Sequence, residues 1–127
     1  MTDLKLLYVD DEPDIREVAV MSLELDPGIE VRTHARGADA LAMLDQDAWR
    51  PDVVLLDVMM PDMDGPATLA HLRARAEFAQ TPVVFITARV QPHERERLLS
   101  LGALGVIVKP FDPMSLAADV RSVLATR

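Results

Sequence analysis

Four short apolar runs each end on a polar group. Leu6-Leu7-Tyr8-Val9 runs into Asp10-Asp11, Val53-Val54-Leu55-Leu56 into Asp57, Val83-Val84-Phe85-Ile86 into Thr87, and Val106-Ile107-Val108 into Lys109. If the runs are parallel strands, three carboxylates, a hydroxyl and an ammonium meet at one edge of a sheet. Clustered carboxylates repel and raise one another's pKa unless a cation sits among them, and an oxygen-only ligand set suits Mg²⁺. Magnesium typically takes one or two carboxylates together with a phosphate oxygen, so such a site is suited to a phosphoryl group. Asp57, at the end of a central run, is placed to act as a carboxylate nucleophile and become an aspartyl-phosphate. Lys109 and Thr87 would then bond the phosphoryl oxygens. Taken singly, each residue has an ordinary structural explanation: helix capping for Asp10-Asp11, a turn hydroxyl for Thr87, a surface charge for Lys109, a loop acid for Asp57. Their joint recurrence at strand ends favours the chemical reading.

The elements that must position these groups follow from turn signals and periodicity. Leu4 to Val9 reads as a first strand, and Asp10-Asp11-Glu12-Pro13 opens a helix to about Leu25 with Ile15, Val18, Ala19 and Leu25 inward. Ile29 to Thr33 alternates as a half-exposed edge strand should. A second helix carries Ala38, Leu41, Leu44 and Ala48, and Arg50-Pro51 closes it before the Asp57 strand. The loop Met60-Pro61-Asp62-Met63-Asp64-Gly65 precedes a third helix through Leu69, Leu72 and Ala76. Pro92 to Leu101 is a charged fourth helix ended by Gly102, and Asp112-Pro113 caps a fifth with Leu116, Val120 and Leu124. Five strands alternating with five helices through short turns require a parallel sheet covered on both faces, a doubly wound α/β fold. The ligand crevice of such sheets lies outside the carboxyl ends of the strands, which is the Asp10, Asp57, Thr87 and Lys109 edge.

Composition narrows the class further. A chain of 127 residues fits one domain, so residues 1–127 are read as a single unit. The absence of cysteine removes disulfides and thiolate metal sites and agrees with a cytoplasmic location. Its apolar runs fall far short of the roughly 20 residues that cross a bilayer, and no basic signal-peptide start precedes Leu4. With 13 basic against 21 acidic residues the net charge is −8, the wrong sign for direct nucleic-acid binding.

The chain resembles a response-regulator receiver domain of two-component phosphorelays, of the stand-alone chemotaxis-regulator type. The residues that carry the resemblance are Asp10-Asp11, Asp57 with Met60-Pro61 and Asp64-Gly65, Thr87-Ala88, and Lys109-Pro110-Phe111, in family order from Leu4 to Leu124. It implies a flavodoxin-like sheet of order 2-1-3-4-5 and a cis Lys109-Pro110 bond. It also implies phosphorylation of Asp57 by a histidine kinase or histidine phosphotransfer protein. Magnesium would be held by the Asp10-Asp11 pair, chiefly the second, with Asp57 and the backbone carbonyl of Met59. Downstream contacts would use the fourth helix, fifth strand and fifth helix, and homodimerisation on phosphorylation is one form of output. Such a protein is no enzyme beyond its own phosphorylation and dephosphorylation. The family's aromatic switch position, three before Lys109, is Val106 here, which puts that form of output in question because valine has no ring to bury. By the same analogy Met59 and Arg89 flank the phosphate.

Other classes fit less well. An aspartate-nucleophile phosphatase of haloacid-dehalogenase type needs an acid two residues after the nucleophile, where this chain has Met59. A flavin-binding protein would want a hydroxyl-rich loop after the first strand. A receiver-like interaction module that is not phosphorylated would not need Asp57, Thr87 and Lys109 together. Trp49 is read as packing at the end of the second helix, the three histidines as too scattered for a metal site, and the Glu94-Arg95-Glu96-Arg97 run as a solvated helix face. Because the last helix ends near Arg127, no output domain is expected to follow it here, so the chain reads as a stand-alone receiver or a fragment.

Overall fold

A computed structural model of the chain describes residues 2–88 and 91–127. Five strands, β1 (Leu4–Val9), β2 (Ile29–His34), β3 (Val53–Asp57), β4 (Val83–Thr87) and β5 (Gly105–Val108), form one parallel sheet in the order β2-β1-β3-β4-β5. Between and after them lie α1 (Pro13–Glu24), α2 (Gly37–Gln46), α3 (Gly65–Arg73), α4 (Pro92–Ser100) and α5 (Leu116–Leu124). The doubly wound α/β expectation and its strand order therefore hold.

Alternation along the strands divides the core in two, because successive side chains leave opposite faces of a sheet. Leu6, Tyr8, Leu55, Val84 and Ile86 pack with Ala19 and Leu23 of α1 and Leu116 and Val120 of α5. Leu7, Val9, Val54, Leu56 and Phe85 pack with Leu41 and Leu44 of α2, Leu69 and Leu72 of α3, and Leu98 of α4. Each such buried leucine is worth about 1.5–3 kcal/mol relative to an exposed one, so both faces are strongly specified. β2, at one edge, is only half-buried after Ile29.

Several element details differ from the sequence reading. On α1 the buried positions are Ala19, Ser22 and Leu23, whereas Val18 and Leu25 are 40% and 62% exposed. Val18, Met21 and Leu25 follow one another at three and four residues, a second apolar stripe that lies beside Pro113 and Met114 instead of the sheet. α2 stops at Gln46, with Asp47 in extended backbone, so Ala48 lies outside the helix. The chain is turned there by the Asp47 carboxylate, which accepts from the Trp49 N–H at 2.8 Å. Trp49 is buried as expected, its indole donating to Glu30 and the Arg32 guanidinium lying 4.6 Å over its ring. Ala76 belongs to a separate 3₁₀ turn (Ala76–Phe78) whose Phe78 fills the core. Asp112-Pro113 does not cap α5 directly: Asp112 Oδ1 accepts from Met114 N–H, and the helix starts at Leu116.

At the functional edge, Gly65 brings the start of α3 against the end of β3. Its N–H donates to Val58 O at 2.9 Å, and a Cβ there would overlap the Asp57 carbonyl oxygen and lie 2.9 Å from Val58 Cα. Only glycine fits this approach. Gly102, with φ 108°, ends α4 in the left-handed region. The Lys109-Pro110 peptide bond is cis.

Candidate functional site

Strand register brings the site together. Val9 pairs with Leu56, Asp57 with Ile86, and Thr87 with Val108, so Asp10, Asp57, Thr87 and Lys109 all fall at the carboxyl end of the sheet. The first residues past the strands stay hydrogen-bonded to their neighbours: Asp10 N–H donates to His34 O at 3.1 Å and Lys109 N–H to Thr87 O at 2.8 Å. Asp10, Asp57 and Thr87 are buried, at 0%, 3% and 4% exposure.

The Asp10 carboxylate is the most heavily bonded group of the set. Its Oδ2 accepts from Tyr8 OH at 2.7 Å and from Lys109 Nζ at 2.8 Å, and its Oδ1 from Glu12 N–H at 3.0 Å. Lys109 Nζ lies 3.4 Å from both Asp57 Oδ1 and Glu12 Oε1. Asp11 Oδ1 and Asp57 Oδ2 are buried and, among the described residues, have no hydrogen-bond partner. One carboxylate oxygen from each of Asp10, Asp11 and Asp57 falls within 4.8 Å of the others.

The electrostatics separate the acids. Burial raises the pKa of Asp57 and the neighbouring Asp10 charge adds to it, against the pull of Lys109, leaving it at about 7. Burial also acts on Asp10, but Lys109, Tyr8 and the Glu12 N–H outweigh it and hold its carboxyl below the usual range. Burial likewise disfavours the Lys109 ammonium, but Asp10 and Asp57 override it and raise its pKa. Orphaned buried carboxylate oxygens, converging within a few ångströms and all hard donors, fit a divalent cation of the magnesium type. Asp11 and Asp57, which hold the unpartnered oxygens, are the residues best able to bind it, with Asp10 beside them.

Asp10, Asp11, Asp57, Thr87 and Lys109, all read from the sequence, are therefore at this edge, and three further residues need separate mention. Met59 follows Asp57 by two and its side chain is 70% exposed. Arg89 lies outside the described residues. Val106 is buried in the core beside α4 residues. Sequence reasoning missed Tyr8 and Glu12 as partners of the site. For Tyr8 a signal existed: a tyrosine within an aliphatic strand must satisfy its hydroxyl when buried, and Asp10 lies two residues on, on the same face. No such signal marked Glu12, whose contact with Lys109 spans 97 positions.

The profile of the response regulator receiver domain matches residues 6–121. The chain is 39% identical over 122 residues to the response regulator Rre1 of Synechocystis, covering 96% of this chain and 52% of that protein. The chain spans about half the length of this and other curated relatives. Among solved structures, the chemotaxis response regulator CheY4 of Vibrio cholerae superposes with a TM-score of 0.86 at 35% identity, covering 96% of this chain and 99% of that one. The BeF3-activated DrrB receiver domain superposes with a TM-score of 0.80 at 28% identity, covering 98% and 99%.

Proposed function

Since the chain belongs to the response regulator receiver domain family, we propose that it is a phosphorylation-dependent switch whose acceptor is Asp57. The observation that carries this reading is the buried Asp57 Oδ2, unpartnered among the described residues, at the end of the central strand with Lys109 3.4 Å from its other oxygen. Asp57 supplies the nucleophile: a carboxylate oxygen forms a P–O bond as the P–N bond of a phosphohistidine breaks, and the departing imidazole takes up a proton. Asp11 and Asp57, with Asp10 and the Met59 carbonyl beside them, would hold a magnesium ion, which would supply charge neutralisation for the phosphoryl oxygens. Lys109 stands ready as the second cation. Thr87, at the end of the neighbouring strand, is placed to bond a phosphoryl oxygen once it is present.

The donor is a histidine kinase or a histidine phosphotransfer protein, and residues 1–127 act as one receiver domain. Output passes through α4, β5 and α5 to a protein partner, by conformational change or onward phosphotransfer, with homodimerisation as one form. A cytoplasmic location follows from such a donor; no helix among the described residues is long and apolar enough to cross a membrane. The chain catalyses only its own phosphorylation and dephosphorylation.

The test is intact-mass spectrometry after incubation with a small phosphodonor and magnesium. The parent chain should gain one phosphoryl mass and Asp57→Asn none; full labelling of Asp57→Asn would sink the assignment.

A further inference from the structure

Tyr8 sits in β1 two residues before Asp10, which follows the strand, and its hydroxyl reaches the Asp10 carboxylate on the same face. The tyrosine ring is fully buried among Leu6, Ala19, Leu23 and Ile86, which fixes where its hydroxyl can reach. That hydroxyl donates to Asp10 Oδ2 at 2.7 Å, and Lys109 Nζ approaches the same oxygen at 2.8 Å. Glu12 N–H takes one lone pair of Asp10 Oδ1 at 3.0 Å. A carboxylate offers about four lone-pair sites, so three are used and the one that remains is on Oδ1.

We propose that Tyr8 is a positioning residue of this site: its hydroxyl locks the Asp10 carboxylate so that Oδ2 anchors Lys109 while Oδ1 keeps its remaining lone pair for the cation. Lys109 follows β5 and keeps 11% of its side chain exposed, and Glu12 lies in the turn after β1. Among the described donors to Asp10, Tyr8 is the one whose side chain is fully buried in the core, which holds its hydroxyl in place to orient the acid. Without it the carboxylate rotates about its terminal bond, a broad torsion with little intrinsic preference. Lys109 and the cation then compete for the same oxygens. Groups that orient a metal ligand through a hydrogen bond affect affinity strongly although they never touch the metal.

This inference rests on the reading of the site as a magnesium-dependent phosphoacceptor. Its test is isothermal calorimetry with magnesium chloride on the parent chain, Tyr8→Phe, Asp10→Asn and the double variant, alongside thermal unfolding without metal. Tyr8→Phe keeps the ring and should weaken magnesium binding by roughly tenfold. In the Asp10→Asn background the same change should alter affinity by less than about twofold, because the group it positions is altered. Replacing Tyr8 by 4-aminophenylalanine, which restores a donor at the same place, should recover most of the loss even if Tyr8→Phe is poorly folded. An unchanged or tighter magnesium affinity in Tyr8→Phe would overturn the proposal, as would an equal loss in the Asp10→Asn background or failure of the restored donor to rescue. A parent chain that binds no magnesium would overturn both this inference and the reading beneath it.

Discussion

Lys109 is anchored on Asp10, at 2.8 Å, and only reaches toward Asp57, the proposed acceptor, at 3.4 Å. The ammonium is thus stationed beside the Asp57 carboxylate without being tied to it. A cation so placed can turn to a new phosphoryl oxygen without first breaking a tight bond to the nucleophile. Preorganised charge of this kind is worth far more at a buried edge than in water.

Lys109→Met should therefore slow phosphorylation of Asp57 by about a hundredfold with a small phosphodonor, the scale expected for losing one preorganised donor. The time course of phosphoryl mass gain measures it. A rate within a few-fold of the parent chain would show that Lys109 is only a structural anchor for Asp10.

Asp57, with its pKa raised to about 7, gives a pH signature in the magnesium-free protein. A raised carboxyl pKa means the folded chain holds the proton more tightly than the unfolded one. Its stabilising contribution is complete below the unfolded value near pH 4 and is lost as pH rises through about 7. Urea unfolding without metal should show the parent losing about 2–3 kcal/mol relative to Asp57→Asn between about pH 5 and about pH 8. Other groups that titrate in this range, His34 among them, cancel in the difference between the two chains. Magnesium should restore stability at about pH 8 and much less at about pH 5, because a proton on Asp57 competes with the metal. Equal pH slopes for the two chains would refute the assignment of the raised pKa to Asp57.

Gly65→Ala adds a methyl group where the Asp57 carbonyl oxygen, Val58 Cα and Phe85 Cε1 already crowd. Backbone cannot yield as a flexible side chain can, so the cost should be about 1–3 kcal/mol in chemical denaturation. Because the displaced atoms carry Asp57, phosphorylation should slow as well. A variant as stable as the parent would mean that α3 shifts freely relative to β3.

Thr87 and Val106 separate the parts of the switch. Backbone amide shift changes on adding beryllofluoride should shrink across α4 and β5 in Thr87→Ala, since the hydroxyl that follows the phosphoryl group is gone. Val106→Ala should keep their pattern while costing about 1 kcal/mol of stability, the price of a partly filled core site. Loss of the response in Val106→Ala with a full response in Thr87→Ala would reverse the roles given to them.

Much of the fold and of the candidate site is legible in the sequence alone. Asp57, Thr87 and Lys109 could be placed at strand ends because a short apolar run bounded by turn residues has few other readings, and a parallel α/β sheet gathers its strand ends at one edge. The resemblance carried the strand order and the cis bond. Periodicity placed Ala19 of α1 in the core but misjudged Val18 and Leu25, since a helix with two apolar stripes does not say which one meets the sheet. Ala48 and Ala76 were absorbed into helices that end earlier, because alanine continues a helical pattern equally well where capping side chains such as Asp47 have already turned the chain. Only the tertiary structure decided the wiring of the crevice: Lys109 on Asp10 across 99 positions of chain, Tyr8 on the same oxygen, and the two carboxylate oxygens left without partners. Residue types and strand ends are local properties, whereas which donor satisfies which lone pair depends on register, rotamer and burial, and these exist only once the chain has packed.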